Sequence, residues 1–60
     1  MRTEEITTRL DELADLMSAA VDSGKEPDDE LVTDYAEMLN VFLTEHPSDC
    51  ISWLREVYSA

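Results

Sequence analysis

The sequence predicts an all-α fold of three helices in a single domain over residues 1–60, and two observations point to it. Apolar residues recur at steps of three and four, and no stretch shows the alternation that is typical of a half-buried strand. Glycine and proline are sparse and divide the chain at Gly24, Pro27 and Pro47. We therefore expect helices over about residues 4–22, 28–45 and 49–58.

The first helix has the spacing of a coiled-coil-like seam. Its apolar residues alternate at steps of four and three: Ile6, Leu10, Leu13, Met17 and Ala20. Thr3 is the expected N-cap, and Gly24 stands where the residue after a C-cap is expected. Glu5 and Arg9 are spaced for an i, i+4 ion pair.

The second helix is the widest apolar element. It starts at the proline and acids of residues 27–30 and stops at His46 and Pro47. Its apolar residues form two adjacent ridges: Leu31, Tyr35, Met38 and Phe42 in one, and Val32, Ala36, Leu39 and Leu43 in the other. One neighbour cannot cover both ridges, so we expect this helix to be central. It forms an antiparallel hairpin with the first helix and also packs on the third helix, on a second subunit, or on both.

The third helix is short, with Ser48 as its expected N-cap. One face carries Cys50, Ile51, Leu54, Val57 and Tyr58, and Trp53 lies at the edge of that face. A helix of this length is not stable alone. Trp53 and Tyr58 therefore either dock the helix on the hairpin or contribute to an interface, where aromatic residues are enriched.

The size of the chain favours self-association. A domain of this size buries only about 60% of the surface of its unfolded chain, and its core rarely supplies more than about 3–5 kcal/mol. One cysteine and one histidine cannot form an internal disulfide or a four-ligand zinc site. We expect a homodimer, although the same apolar stripes also suit a compact monomer. The expected self-association or partner interface is Leu31, Tyr35, Met38, Leu39, Phe42, Leu43, Trp53, Leu54, Val57 and Tyr58.

The charge of the chain limits its partners. Fifteen acidic and four basic side chains give a net charge of −11, which disfavours direct binding to nucleic acid or to an anionic membrane and favours a protein with a basic surface. The chain has no apolar run long enough to span a bilayer and no signal-peptide pattern at its start. A single cysteine suits a reducing compartment, and together with these two features it predicts a cytoplasmic protein.

The acidic residues on the polar faces of the first two helices allow two interpretations. The first helix carries a stripe opposite its apolar seam, and the second helix carries acids on its polar side; together these are Glu4, Asp11, Asp15, Asp22, Glu30, Asp34 and Glu37. The array either imitates the phosphates of DNA in the basic groove of a nucleic-acid-binding protein, or is a solvated face that keeps the protein in solution.

Nothing in the sequence indicates catalysis or a cofactor. Cys50 is near a helix start but has no base placed by a motif, and a helical cysteine among apolar neighbours is typical of a core. His46 is placed as a capping cation at a helix end. There is no spaced carboxylate motif for a metal and no glycine loop for phosphate. We expect a protein that is not an enzyme.

Two resemblances extend this interpretation. Residues 45–56 (EHPSDCISWLRE) resemble part of the third helix of the theta subunit of bacterial DNA polymerase III, which implies a proofreading exonuclease subunit as partner; the rest of the chain does not follow that family. The whole chain is similar in size, acidity and helical make-up to small early proteins of lambda-like temperate phages encoded between the exonuclease and excisionase genes. That similarity implies a non-enzymatic protein that modulates host or phage processes.

The sequence thus predicts a non-enzymatic, acidic protein-interaction module, a homodimeric regulator that acts by binding another protein. The first alternative is a DNA-mimic inhibitor that uses the acidic helix faces. The second is a small accessory subunit that folds fully only on a larger partner.

Overall fold

The computed structural model describes residues 1–59 and contains three helices, α1 (Thr3–Asp22), α2 (Asp29–Glu45) and α3 (Pro47–Tyr58). The described residues contain no strand, so the all-α prediction is confirmed. The predicted helix boundaries are correct to within two residues. None of these helices is both long enough and apolar enough to cross a membrane.

The helices form an up-down-up arrangement in which α2 is central, as predicted. α1 and α2 are antiparallel: Ile6 near the start of α1 packs with Phe42 in the second half of α2, whereas Val21 near the end of α1 lies beside Tyr35 in the first half of α2. α3 packs on α2 and returns in the direction of α1. Its start contacts the start of α1, and its last residue, Tyr58, lies beside Ala14.

The turn between α1 and α2 forms as predicted at Gly24. Its φ of +77° lies in the left-handed region, which glycine adopts without steric cost. The backbone N–H of Gly24 donates to the carbonyl of Val21, and that of Lys25 donates to the carbonyl of Ala20. These bonds use carbonyl groups that the end of a helix otherwise leaves without partners.

Two predicted details of α1 are wrong. The N-cap is Arg2 rather than Thr3, which is the first residue of the helix and whose hydroxyl donates to the Asp49 carboxylate at 2.8 Å. Arg9 pairs with Glu12 at 3.4 Å rather than with Glu5. The Arg9–Glu12 pair (i, i+3) and the expected Glu5–Arg9 pair (i, i+4) are exposed alternatives of similar energy, so spacing alone does not choose between them.

α3 begins earlier than predicted, because a single residue, His46, separates it from α2. Pro47 occupies the first turn and His46 is the N-cap, so the prediction of Ser48 as N-cap is wrong. Proline lacks the N–H that a first-turn residue does not need, and its fixed φ suits the start of a helix. The N–H of His46 donates to Phe42 and its carbonyl accepts from Cys50, so the two helices share this residue.

The core is small and lies at one end of the molecule. Of the described residues, five are buried: Ile6, Leu10, Leu13, Phe42 and Cys50. The Phe42 ring is fully buried and meets the Trp53 ring edge-to-face, with centroids 6.0 Å apart. Such a pair contributes about 0.5–1.5 kcal/mol beyond its buried area. This aromatic pair joins α3 to α2.

The two ends of the molecule therefore differ. We call the first half of α1, the second half of α2 and the first half of α3 the packed end, and the opposite halves the open end. Met17 and Ala20 continue the α1 seam into the open end but are only half-buried there. The reason is length: the 12 residues of α3 span about 18 Å, whereas the 20 residues of α1 span about 30 Å. A short third helix cannot cover the whole hairpin.

Candidate functional site

Four residues of the second predicted ridge form an uncovered strip along α2, which we call the α2 seam: Val32, Ala36, Leu39 and Leu43. Val32 and Leu43 are 48% and 51% exposed, Ala36 is exposed and Leu39 is half-buried. Their steps of four, three and four place them on one side of the helix, in the pattern of a helix–helix contact. Leu39 also packs against the core, but the described residues of the single chain leave Val32, Ala36 and Leu43 exposed.

The surface beside the α2 seam is neutral except at the start of the helix, where the exposed Asp28 and Asp29 lie about one turn before Val32. Thr33, Asn40 and Thr44 border the seam on its solvent side, and all three are exposed. The acidic residues of the middle of the helix, Asp34 and Glu37, lie in a shallow groove against α1. The α2 seam is thus an apolar, uncharged strip on a chain of net charge −11.

A second surface is an open groove of about 400 Å³ at the open end. We call it the open-end groove. It lies between the second half of α1, the first half of α2 and the end of α3, and its lining is Ala14, Met17, Ser18, Val21, Asp22, Tyr35 and Tyr58. Val21 and Tyr58 are 61% and 73% exposed, so apolar and aromatic surface is open to solvent here.

Two tyrosines meet at the open-end groove. Burial raises the pKa of the Tyr35 phenol, and the adjacent Tyr58 phenol and the charge of Asp11 raise it further. Burial removes water from the phenolate and a nearby negative charge repels it, so both disfavour the charged form. Asp11, Tyr35 and Tyr58 are therefore neighbours, although they come from three different helices.

The outer side of α3 carries an open apolar depression of about 730 Å³, which is larger than the open-end groove. Ile51, Leu54 and Tyr58 line it together with Arg55 and Ser59. Ile51 was expected on the packed face of α3 but is 47% exposed. The helix is rotated so that Cys50, Trp53 and Leu54 face the core, because the Trp53 ring packs against Phe42.

The structure divides the predicted interface residues into three groups. Phe42 is fully buried in the core of the single chain and is not available to a partner. Leu43, Val57 and Tyr58 are exposed. The remaining residues are half-buried and contribute only part of their side chains to a surface: Leu31, Tyr35, Met38, Leu39, Trp53 and Leu54.

All seven predicted acidic-face residues are exposed, but they do not form one array. Asp34 and Glu37 share a groove with Arg9. Arg9 and Asp11 are two residues apart and so point about 160° away from each other around α1. The stripe on α1 (Glu4, Asp11, Asp15, Asp22) therefore lies on the other side of the hairpin from the acids of α2 (Glu30, Asp34, Glu37).

Polar contacts join the start of α1 to the α2–α3 junction. The Met1 amine donates to the Glu45 carboxylate at 2.8 Å, which lowers the pKa of Glu45 and raises that of the amine. The His46 Nε2–H donates to the Met1 carbonyl at 2.7 Å. With the bond from Thr3 to Asp49, these contacts close the packed end, and they are exposed rather than part of a cleft.

The residues considered for chemistry lie in structural positions. Cys50 is 1% exposed and packs against Ile6, Leu10 and Phe42, which is the core position that one interpretation of the sequence predicts. These side chains enclose the thiol, so it is not open to a substrate. Within residues 1–59, no group of three or more His, Cys, Asp or Glu side chains is placed to hold a metal ion.

Comparison of the chain with protein-family models, with curated proteins and with solved structures finds no significant match. Its function is therefore inferred from the surfaces described above, and the resemblances to phage early proteins and to the theta subunit stay predictions.

Sequence reasoning did not single out several residues of these surfaces. Val32 and Ala36 were assigned to a ridge but not to the interface, although the neutral residues Thr33 and Asn40 lie beside them. The α1 residues of the open-end groove, such as Met17 and Val21, continue a seam that seemed fully buried from its spacing. The signal that identifies them is the shortness of α3.

Proposed function

We propose that this protein is a non-enzymatic, homodimeric protein-interaction module whose two copies meet along the α2 seam. The observation that supports the proposal best is that this strip is apolar, largely exposed and flanked by neutral residues along most of its length. An isologous contact uses the same patch on both copies, so a self-complementary strip on one helix is sufficient. Ala36 lies near its centre, where a small side chain lets two helices approach closely.

The exposed area of the chain agrees with a missing partner. The molecule is flat, measuring 35 × 26 × 14 Å, and exposes 4561 Å². A compact monomer of this mass exposes about 3,950 Å². The excess of about 600 Å² approaches the roughly 800 Å² that one partner buries in a standard interface.

Charge favours the α2 seam over other surfaces for contact between two copies. Two chains of net charge −11 repel one another, and like charges that face each other across an interface cost several kcal/mol. A contact centred on Ala36 and Leu39 turns the α1 acids of both copies away from the contact. The outer acidic surface then stays free for a second, basic protein.

The test is the solution mass of the protein over a dilution series, measured by analytical ultracentrifugation. Leu43→Glu places a charge in the α2 seam and is expected to shift dimer to monomer. Thr8→Glu is the matched control, because it adds the same charge at an exposed threonine of α1, away from the α2 seam, and is expected to leave the dimer intact. Circular dichroism of both variants reports whether the helices are retained.

Three outcomes contradict the proposal. One is an unmodified protein that is monomeric at every concentration. Another is a dimer that Leu43→Glu leaves unchanged. The third is a dimer that both variants weaken equally, since net charge rather than the α2 seam then controls association.

Each alternative function rests on a different observation. A DNA mimic rests on the α1 stripe alone, because the α2 acids lie on the other side of the hairpin. An accessory subunit that folds on a larger partner rests on the small size of the core. A regulatory role in phage or host development in the cytoplasm rests on the similarity of the chain to temperate-phage early proteins.

A further inference from the structure

We infer that the open-end groove binds a basic amphipathic helical segment of the partner protein, with apolar side chains in the groove and cations against the α1 stripe. This inference rests on the proposed function, since it names the chemistry and the location of the second partner. It concerns a surface separate from the α2 seam, so the two can fail independently.

The floor of the groove is suited to apolar side chains. Ala14, Met17 and Val21 follow one another at intervals of about one turn on α1. Across the groove, Tyr35 and Tyr58 present aromatic rings from the other two helices. Aromatic and methionine side chains are enriched where proteins bind one another, because they bury a large area and adapt to the shape of a partner.

The rim of the groove supplies the charge. Asp22 lines the groove directly, and Asp11 is close enough to Tyr35 to affect its ionisation. Asp15 belongs to the same stripe, since residues 11, 15 and 22 are separated by steps of four and seven. A ligand helix that carries basic residues along one edge of its apolar face meets apolar surface and carboxylates together.

Charge also determines which occupant is favoured. A second copy of this chain brings its own acids to an acidic rim and is repelled, and an anionic ligand is repelled for the same reason. Arg55, the basic residue nearest to Tyr58 in the sequence, lies on the outer side of α3 with Ile51. The surface therefore combines apolar contact with attraction for a cation, as in helix-in-groove recognition.

The probe is a synthetic helical peptide of leucine and lysine with all leucines on one face. A peptide of the same composition with its leucines distributed around the helix serves as the charge-only probe. Binding of each to the unmodified dimeric protein is measured by fluorescence anisotropy at physiological salt. The amphipathic peptide is expected to bind at least about tenfold more tightly than the charge-only peptide.

Matched variants locate the site. Neutralising Asp11, Asp15 and Asp22 together to asparagine is expected to weaken binding about tenfold. The control neutralises Glu30, Asp34 and Glu37 to their amides; it removes the same number of charges on the other side of the hairpin and is expected to change binding less than about threefold. Tyr58→Ser is expected to weaken binding about fivefold, and the neighbouring Val57→Ser to have little effect.

The results distinguish binding in the open-end groove from attraction by net charge and from binding along the α2 seam. Equal loss of binding in both triple variants, or equal binding of both peptides, means attraction by net charge and overturns the inference. Nuclear magnetic resonance shift mapping on the unmodified protein locates the bound peptide without the use of a variant. Shifts concentrated at residues 11–22, 35 and 58 support the groove, whereas shifts along the α2 seam contradict it. A dimer that survives while the peptide fails to bind leaves the proposed dimerisation standing.

Discussion

The packed end and the open end of this molecule are built from the same helices but perform different tasks. All the buried residues from α2 and α3, Phe42 and Cys50, lie at the packed end, where the polar contacts of Met1 and Thr3 also lie. At the open end, Val21, Val32 and Tyr58 are exposed. The packed end also exposes Leu43 and Ile51, but on its outer sides. One end of a very small protein can thus hold the fold while the other leaves a groove open between its helices.

The cause of this difference is geometric rather than compositional. The apolar spacing of α1 is the same from Ile6 to Ala20, yet only the first half is covered. α3 is too short to reach the far end of the hairpin, and its last residue, Tyr58, lies at the edge of the open-end groove. The comparison can be tested by changes that affect one end and not the other.

The largest expected effect is at the packed end. Phe42→Ala removes the ring that all three helices share, and such a change costs about 3–5 kcal/mol. A core of this size rarely supplies more than that, so the variant is expected to be largely unfolded by circular dichroism. Val21→Ala, an apolar truncation at the open end, is expected to change the free energy of unfolding by less than about 0.5 kcal/mol. Similar losses in both variants contradict the distinction between the two ends.

A smaller effect is expected at the contact between α3 and the core. Cys50→Ser puts a hydroxyl among apolar side chains and is expected to lower the free energy of unfolding by about 1–3 kcal/mol. Cys50→Ala, which introduces no polar group, is the control and is expected to cost less. In the unmodified protein the thiol is expected to react with a disulfide reagent only at the rate of unfolding. Rapid reaction in the folded state means that Cys50 is accessible and contradicts its core position.

The smallest effect is expected at the open end and depends on pH. The pKa of Tyr35 is raised above its ordinary value of 10.0, so the folded state favours the neutral phenol. The resulting stability is fully present below pH 10.0 and is lost as pH rises through the folded pKa. Urea unfolding above pH 10.0 is expected to show this loss in the unmodified protein and to show less of it in Tyr35→Phe. An identical pH dependence in the two proteins contradicts the assigned environment of Tyr35.

The sequence was sufficient to predict the helices and the half of the α1 seam that is buried. Spacing at three and four residues marks Ile6, Leu10 and Leu13 because an α-helix repeats every 3.6 residues. The left-handed conformation of Gly24 was predictable for a similar local reason. Local rules also failed where two of them competed, as when Pro47 rather than Ser48 determined the start of α3.

The candidate surfaces were less predictable because burial depends on the whole fold. Nothing local distinguishes Leu10, which is buried, from Met17 of the same seam, which is only half-buried. The rotation of α3, which exposes Ile51, follows from the contact of Trp53 with Phe42. The separation of the two acidic groups likewise depends on which side of α1 faces α2, and a single helix does not specify that.

Amide hydrogen exchange at low and high protein concentration tests the central claim most directly. In dilute protein we expect the slowest exchange at the packed end, around Leu10, Phe42 and Cys50. We also expect higher concentration to slow exchange along the α2 seam, and the amphipathic peptide to slow it around the open-end groove. Uniform protection along all three helices, unchanged by concentration and by the peptide, would contradict the account.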